Sequence, residues 1–599
     1  MFSRKTILYL LATLSIGLLL YSCANRGYPI GGPKDEDPPV IVKEDPVNGG
    51  LNFDKKKLNI YFNEYVQLKE VSSKFIISPP QKKQPKVKLR GKRVLVEFAD
   101  TLRENTTYSL DFGTSIVDNN EGIPMGHYRY YFSTGDHIDT LRVGGNVYDS
   151  YTSKPVENAY VMLYDATIAD SVPLKDVPMY VARTDTAGYF SITNIKQHKY
   201  KLMAIEDGNK NSIFDSPTER VAFSDSIVFP TVYDLTRRDT SSQDSTAIVS
   251  YTAFGPENLK LHMFQEKERI QYLVNSERKE RGCIDFDFSI PRTDSLKVDL
   301  FGIDNEKDVF VIERNQTNDT LKYWIKDTMV FNRDTLRAEL RYLKTDTLGM
   351  LVETRDTVDF DFDFEDEEFI VEDSKKDKKK KKVDFLKMDF NLSSSVNPNS
   401  VLKFNVEQPV LEDLSDKINL YKFENDTVKV KQYIKIHRDS LKIRNYTIDY
   451  KWQPGVEYSL EADSASIHSV SGKFNDKIEN KLSVKEVEEY GTVILSLKNG
   501  KYPMILKLLK AGGKEYSEVR EIYPTKDGEY VIKYVNPGKY SFMAVSDANG
   551  NKKWDTGYYI KHIQPEKVIY INKEVDIREN WDFELEWDFS DRKEAKDIE

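Results

Sequence analysis

The sequence predicts an all-β protein made of tandem β-sandwiches, and three features predict it. Apolar and polar residues alternate in short runs, as in Leu58-Asn59-Ile60-Tyr61-Phe62 and Trp581-Asp582-Phe583-Glu584-Leu585. That alternation is the period of a half-buried strand. The 36 Tyr and 30 Phe are residue types that pack well on a pleated surface. Finally, two blocks of sequence occur twice in the same order, so the sandwiches come as a duplicated pair.

The first element is the N-terminus. Arg4 and Lys5 precede a mostly apolar stretch of 14 residues, Ile7 to Leu20. It falls short of the roughly 20 needed to cross a bilayer and suits a signal peptide, residues 1–22. It ends in Leu20-Tyr21-Ser22-Cys23, which resembles a bacterial lipobox, with Tyr21 departing from the small residue usual there. The resemblance implies lipid on Cys23 and an outer-membrane lipoprotein, on the cell surface or the periplasmic face. Cys283 then has no partner, and an exported chain without disulfides must be held by packed cores. Residues 23–37, with Gly, Pro and the acidic Asp35-Glu36-Asp37, read as a flexible tether.

The first repeated block carries Asn105-Thr106-Thr107-Tyr108-Ser109-Leu110 and Gly122, matched by Gly455-Val456-Glu457-Tyr458-Ser459-Leu460 and Gly472. A turn and then a Tyr entering an alternating strand is the pattern of a sandwich whose Tyr hydroxyl caps a corner. The second block carries Gly188, Tyr200 and Asp207, matched by Gly528, Tyr540 and Asp547 at a constant spacing of 340.

These residues also carry a resemblance. Residues 38–136, through Phe62-Asn63-Glu64, Asn105-Thr106-Thr107-Tyr108 and Phe132-Ser133-Thr134-Gly135, resemble the bacterial Ig-like domain of the SbsA type. Residues 137–242, through Gly145-Asn146-Val147-Tyr148-Asp149 and Val161-Met162-Leu163-Tyr164, resemble the carboxypeptidase-regulatory or transthyretin-like sandwich. Residues 385–487 and 488–599 repeat the pair. Between the pairs stand a central β-rich domain, 243–371, with a short helix expected near Asn258 to Arg278, and a charged linker, 372–384. The expected architecture is therefore tandem Ig-like and transthyretin-like β-sandwiches with a mostly β central insert. The order resembles Ig-like-domain lipoproteins of Bacteroidota, which implies no particular activity. Within the insert, triplets such as Asp319-Thr320-Leu321, Asp327-Thr328-Met329, Asp334-Thr335-Leu336 and Asp356-Thr357-Val358 mark turn-to-strand transitions.

Lys+Arg 87 against Asp+Glu 97 gives a net charge of −10, which implies no strongly basic face and argues against nucleic acid. The sequence holds no H-E-x-x-H, no close His pair and no G-x-S-x-G elbow, so it reads as non-enzymatic. Two loops share the spacing Asp-x-Asn-x-Asn-x-x-x-Asp: Asp207, Asn209, Asn211 and Asp215, and Asp547, Asn549, Asn551 and Asp555. Alternate oxygens in a tight loop suit Ca²⁺, although the bidentate Glu of an EF-type loop is replaced by Thr218 or Tyr558. The competing reading is an Asn/Asp hairpin that satisfies its own backbone. No cofactor is required, and calcium is the one the loops would take. Near the C-terminus, Trp581 and Trp587 are either core anchors, the favoured reading, or docking aromatics.

Together these readings describe a lipid-anchored structural or assembly subunit of the cell envelope. Its partners are expected to be other envelope proteins or outer-membrane barrels, including barrel-assembly machinery. The alternative is a surface adhesin or glycan binder with calcium-stiffened loops.

Overall fold

The computed structural model describes residues 36–216, 218–238, 248–303, 308–347, 349–362, 384–392, 395–425, 428–512, 515–571 and 573–590. The expected signal peptide, Cys23, most of the tether and most of the charged linker lie outside them. The described chain is all-β, a series of mostly antiparallel sandwiches with only two α-helices, Val71–Lys74 and Thr328–Phe331, each one turn long. It divides into two compact units: Met1–Val147, Pro155–Phe214 and Phe223–Leu261 form one, and Tyr148–Lys154, Asp215–Ala222 and His262–Glu599 form the other.

In the first unit the N-terminal sandwich has a four-stranded sheet in the order Ile41–Asp45, Lys57–Phe62, Arg93–Glu97, Lys86–Leu89. It faces a three-stranded sheet of Ile76–Ser78, Thr107–Gly113 and Tyr128–Ser133. The predicted alternation holds: Leu58, Ile60 and Phe62 are buried against Val94, Val96, Tyr108 and Phe132, while Asn59 and Tyr61 turn outward. Tyr108 and Phe132 stack with ring centroids 5.5 Å apart. The Tyr108 hydroxyl accepts the Arg103 backbone N–H at 2.8 Å, the expected corner cap. A second sandwich comes next, in which Tyr180–Arg183, Tyr160–Asp165 and Tyr200–Ile205 are adjacent strands and Leu141–Asp149 pairs with Tyr189–Ile195. The Tyr200 hydroxyl donates to the Lys196 carbonyl at 2.9 Å.

The second unit repeats both designs. Strands Met388–Phe390, Leu402–Val406, Asn445–Asp449 and Lys435–Arg438 lie side by side in the same order of succession as the first four-stranded sheet. Tyr458 accepts the Gln453 N–H at 3.2 Å. In the last sandwich Glu515–Ile522, Met504–Gly512 and Gly538–Ser546 reproduce the second design, and Tyr540 donates to the Asn536 carbonyl at 2.8 Å. Two pairs of equivalent tyrosines thus make the same bond at the same offset, which is the duplication written in hydrogen bonds.

Ahead of these sandwiches the second unit carries a four-stranded sheet (Leu273–Glu280, Cys283–Phe288, Thr320–Ile325, Phe310–Arg314) and a three-stranded one (Lys297–Leu300, Thr335–Thr345, Leu351–Asp361) around one core. The helix expected near Asn258 to Arg278 is absent: the strands Leu259–Gln265 and Leu273–Glu280 occupy that stretch. Leu261 and Met263 are buried with period two, the mark of a strand, and the charged run Glu266-Lys267-Glu268-Arg269 falls in the connection between the two strands. The strand Leu259–Gln265, inside the expected insert, pairs through Val221 and Phe264 with Arg220–Phe223. The Asp-Thr triplets behave unequally. Thr320 and Thr335 begin strands, Asp327 N-caps a helix by accepting two backbone N–H groups, and Thr357 lies mid-strand. Asp favours a helix cap as much as a turn, so the triplet alone does not decide between a strand and a helix after it.

Candidate functional site

The two Asp/Asn loops were the most specific chemical signal in the sequence, and they fold alike. In the first, Asp207 Oδ1 accepts the N–H groups of Lys210 and Asn211, and Oδ2 that of Ser212. Asn209 Oδ1 accepts from Asn211 and Asn211 Oδ1 from Ile213. In the second, Asp547 accepts from Asn551 and Lys552, Asn549 from Asn551, and Asn551 from Lys553. Lys210, Ser212, Gly550 and Lys552 take positive φ, so each loop coils tightly around its leading carboxylate. This is the self-satisfying geometry of short polar side chains in a turn.

The ninth position separates the copies. In the second loop Asp555 Oδ2 accepts the side-chain amides of Asn549 and Asn551, at 2.7 and 2.6 Å, and Oδ1 pairs with Lys267 Nζ at 2.8 Å. Burial pushes the Asp555 carboxyl up, but the bonds from Lys267, Asn549 and Asn551 outweigh it and hold the group below its ordinary range. An ammonium therefore supplies the positive charge here. Glu566, which no sequence signal marked, accepts the N–H groups of Ala548 and Asp555 at 2.8 and 3.0 Å. Burial pushes its carboxyl upward. In the first loop Asp215 donates its backbone N–H to the buried Glu219. Among the described residues, no group of three or more His, Cys, Asp or Glu gathers where it could hold a metal ion.

The second loop also clips two stretches of its own unit together. Thr556 Oγ1 donates to the Gln265 carbonyl at 2.6 Å, and the Tyr559 N–H to Glu266 at 2.6 Å. Just before them, Trp554 packs edge-on against Tyr151 with centroids 5.2 Å apart. Tyr151 and Trp554 cover Ile505, Met543 and Val545 on the outer face of the last sandwich. A second joint links the central sheets to the next sandwich. Glu313 Oε2 accepts both the Trp324 indole N–H at 3.0 Å and Arg444 Nε at 2.7 Å, and Arg444 lies over the Trp324 ring.

The C-terminal aromatics divide. Trp587 is buried, stacked on Phe589 at 4.7 Å, which removes it as a docking aromatic: its strand, Asp582–Asp588, turns that face into the core. Trp581 precedes the strand and is 59% exposed, so the docking reading survives there alone. Cys283 is buried, its thiol pushed up by burial, in keeping with an inert packing residue.

Known proteins offer a partial match. Residues 35–134 match the family model of the bacterial Ig-like domain. No curated protein matches the chain. Among solved structures it is similar to the major pilin subunit BcpA of Bacillus cereus, at 9% identity over 75% of this chain and 99% of that one, with a TM-score of 0.14. It is also similar to domains 1–6 of the surface-layer protein SbsC, at 11% identity over 91% of this chain and 68% of that one, TM-score 0.14. The human desmocollin-1 ectodomain matches at 10% identity over 75% of this chain and 80% of that one, TM-score 0.12.

Proposed function

We propose that the chain is a non-enzymatic, lipid-anchored protein of the cell envelope, a structural or assembly subunit that docks to an outer-membrane protein complex. The observation that carries the reading is the way polar side chains are used inside the second unit. The polar clusters that could have formed a site serve instead to hold the unit together: Asp555 with Lys267 ties two of its loops, and Glu313 with Arg444 joins the central sheets to the next sandwich. A buried, hydrogen-bonded joint between sandwiches suits a spacer or scaffold, whose function lies on its outer surfaces. Barrel proteins of the outer membrane are the expected partners, through lipid on Cys23 and surface aromatics such as Trp581. Co-purification from detergent-solubilised membranes tests it: a stoichiometric barrel partner is expected, and a monomer that retains only polysaccharide overturns it.

The similar coiling of the two Asp/Asn loops around their leading carboxylates favours a second reading, an adhesin or glycan binder stiffened by calcium at Asp207, Asn209, Asn211 and Asp215 and at the equivalent four residues. Calorimetry with calcium decides it, since neither heat nor a shift in melting temperature would remove the metal.

A further inference from the structure

The net charge of the whole chain hides a local excess. Residues 71–96 hold eight Lys or Arg and no Asp or Glu. The fold delivers part of this stretch to one end of the first sandwich, as the hairpin Lys86–Leu89 and Arg93–Glu97 with Arg90, Gly91 and Lys92 at its turn. The same end carries exposed apolar side chains: Val40 and Val42, 57% and 62% exposed, Tyr65, 59%, and Leu89, 38%. Asn63 ties them together. Its carbonyl accepts Lys92 Nζ at 2.8 Å, and it exchanges two hydrogen bonds with the backbone of Val40. The Lys92 ammonium sits 5.5 Å from the centre of the Tyr65 ring. The outer face behind this end continues basic, with Lys43 and Arg93 both over Tyr61. Of the nearby acids, Glu97 is engaged by Lys57 and Lys88, Glu64 is half-buried, and Glu36 and Asp37 are exposed just ahead of Val40, so the cations of the turn must outweigh them.

The position of this end in the chain matters as much as its composition. Val40 is where the chain enters the sandwich, so the basic turn and Tyr65 lie beside the point at which the segment from Cys23 arrives. Residues 24–39 can span at most about 55 Å, which keeps this end close to whatever holds Cys23. A surface of cations rimmed by aliphatic and aromatic side chains is the chemistry that settles on anionic headgroups: charge attracts, and amphipathic rings sit at the interface. We propose that this end, Val40, Val42, Tyr65, Leu89, Arg90 and Lys92, is a foot that rests on anionic lipid headgroups. It orients the first sandwich on the membrane instead of leaving it to swing on its anchor. The foot rests on the proposed function and takes its orientation from the lipid on Cys23.

The test uses the mature chain, residues 23–599, with Cys23→Ser so that no acyl group contributes. Sedimentation with phosphatidylglycerol vesicles at low salt is expected to carry it down, and phosphatidylcholine vesicles are expected not to. Each surface cation contributes about five-fold to such binding, so R90E/K92E should weaken it by about 25-fold or more, and salt should abolish it. The control K526E/K533E, equal in charge change, should leave most of the binding intact. Equal binding to both vesicles, or unchanged binding by R90E/K92E, overturns the foot. So does a loss that is as large toward soluble heparin as toward vesicles, since the site would then be a general polyanion site. Failure of the Cys23 reading shows elsewhere, in an intact mass of the wild-type protein that lacks the lipid.

Discussion

Tyr108 and Tyr458 show how one side chain can be read from sequence through to structure. Each comes after a turn, enters an alternating strand and accepts a backbone N–H five residues upstream. Replacing Tyr108 by Phe keeps the ring on Phe132 but leaves the Arg103 amide without its acceptor, at a cost of about 1 kcal/mol. Hydrogen exchange at that amide is expected to speed by about five- to ten-fold, with the equivalent change at Gln453 only in Y458F. A different residue-level effect comes from Glu97. Hydrogen bonds from Lys88 and Lys57 hold its carboxyl down to about 2, against an ordinary 4.5. Its contribution is complete above pH 4.5 and is lost as pH falls towards 2, because the unfolded chain takes up the proton first. Glu97→Gln should therefore flatten the stability profile of the first sandwich between those values, read by urea unfolding across pH. The tyrosines were legible because a corner has a sequence pattern. Lys267 and Glu566 were not, since their role depends on loops brought together by the fold, Lys267 from far away in the chain and Glu566 from about a dozen residues on.

Strands were legible where burial has period two, whereas the stretch from Asn258 to Arg278, expected to hold a short helix, is two strands. The strand Leu259–Gln265 shows why tertiary context decides. A Cβ on Gly145 would lie 2.1 Å from the Leu259 carbonyl oxygen, and Gly144 donates its N–H to the Pro256 carbonyl at 2.9 Å. Only glycine permits two backbones that close. Gly145→Ala must push the strand away, at an expected cost of about 1–3 kcal/mol as for other overpacked sites. Gly208→Ala is the matched control, because no atom lies within 4 Å of its added methyl and its φ needs no glycine. Urea midpoints of the two variants should separate clearly, and equal midpoints would show that the close approach costs nothing. The basic end of the first sandwich belongs to this scale too. Whole-chain composition implied no strongly basic face, yet one hairpin concentrates what the average conceals.

At the scale of the whole molecule, the duplication was readable from constant spacing, while the joints were not, because they are made by residues with no motif. The joint at Glu313 allows the sharpest test. Its side chain is 10% exposed, and its carboxylate is matched by Arg444 and the Trp324 indole. Removing the guanidinium leaves a largely buried carboxylate with one neutral donor, which is costlier than never having had the pair. Arg444→Met is therefore expected to destabilise by about 2–3 kcal/mol, below the range for a fully buried pair because the Arg444 side chain retains 20% of its exposure. Adding Glu313→Gln should restore part of the loss, since the orphaned charge is gone and an amide can still accept from the indole. Trp324 itself reports the joint: 1% exposed in the assembled unit, its emission should shift to the red at lower urea in R444M than in the double variant. If the single and double variants unfold together, the ion pair is not what couples the central sheets to the next sandwich. The packing of Cys283, Trp324 and Ile443 would then carry the joint alone.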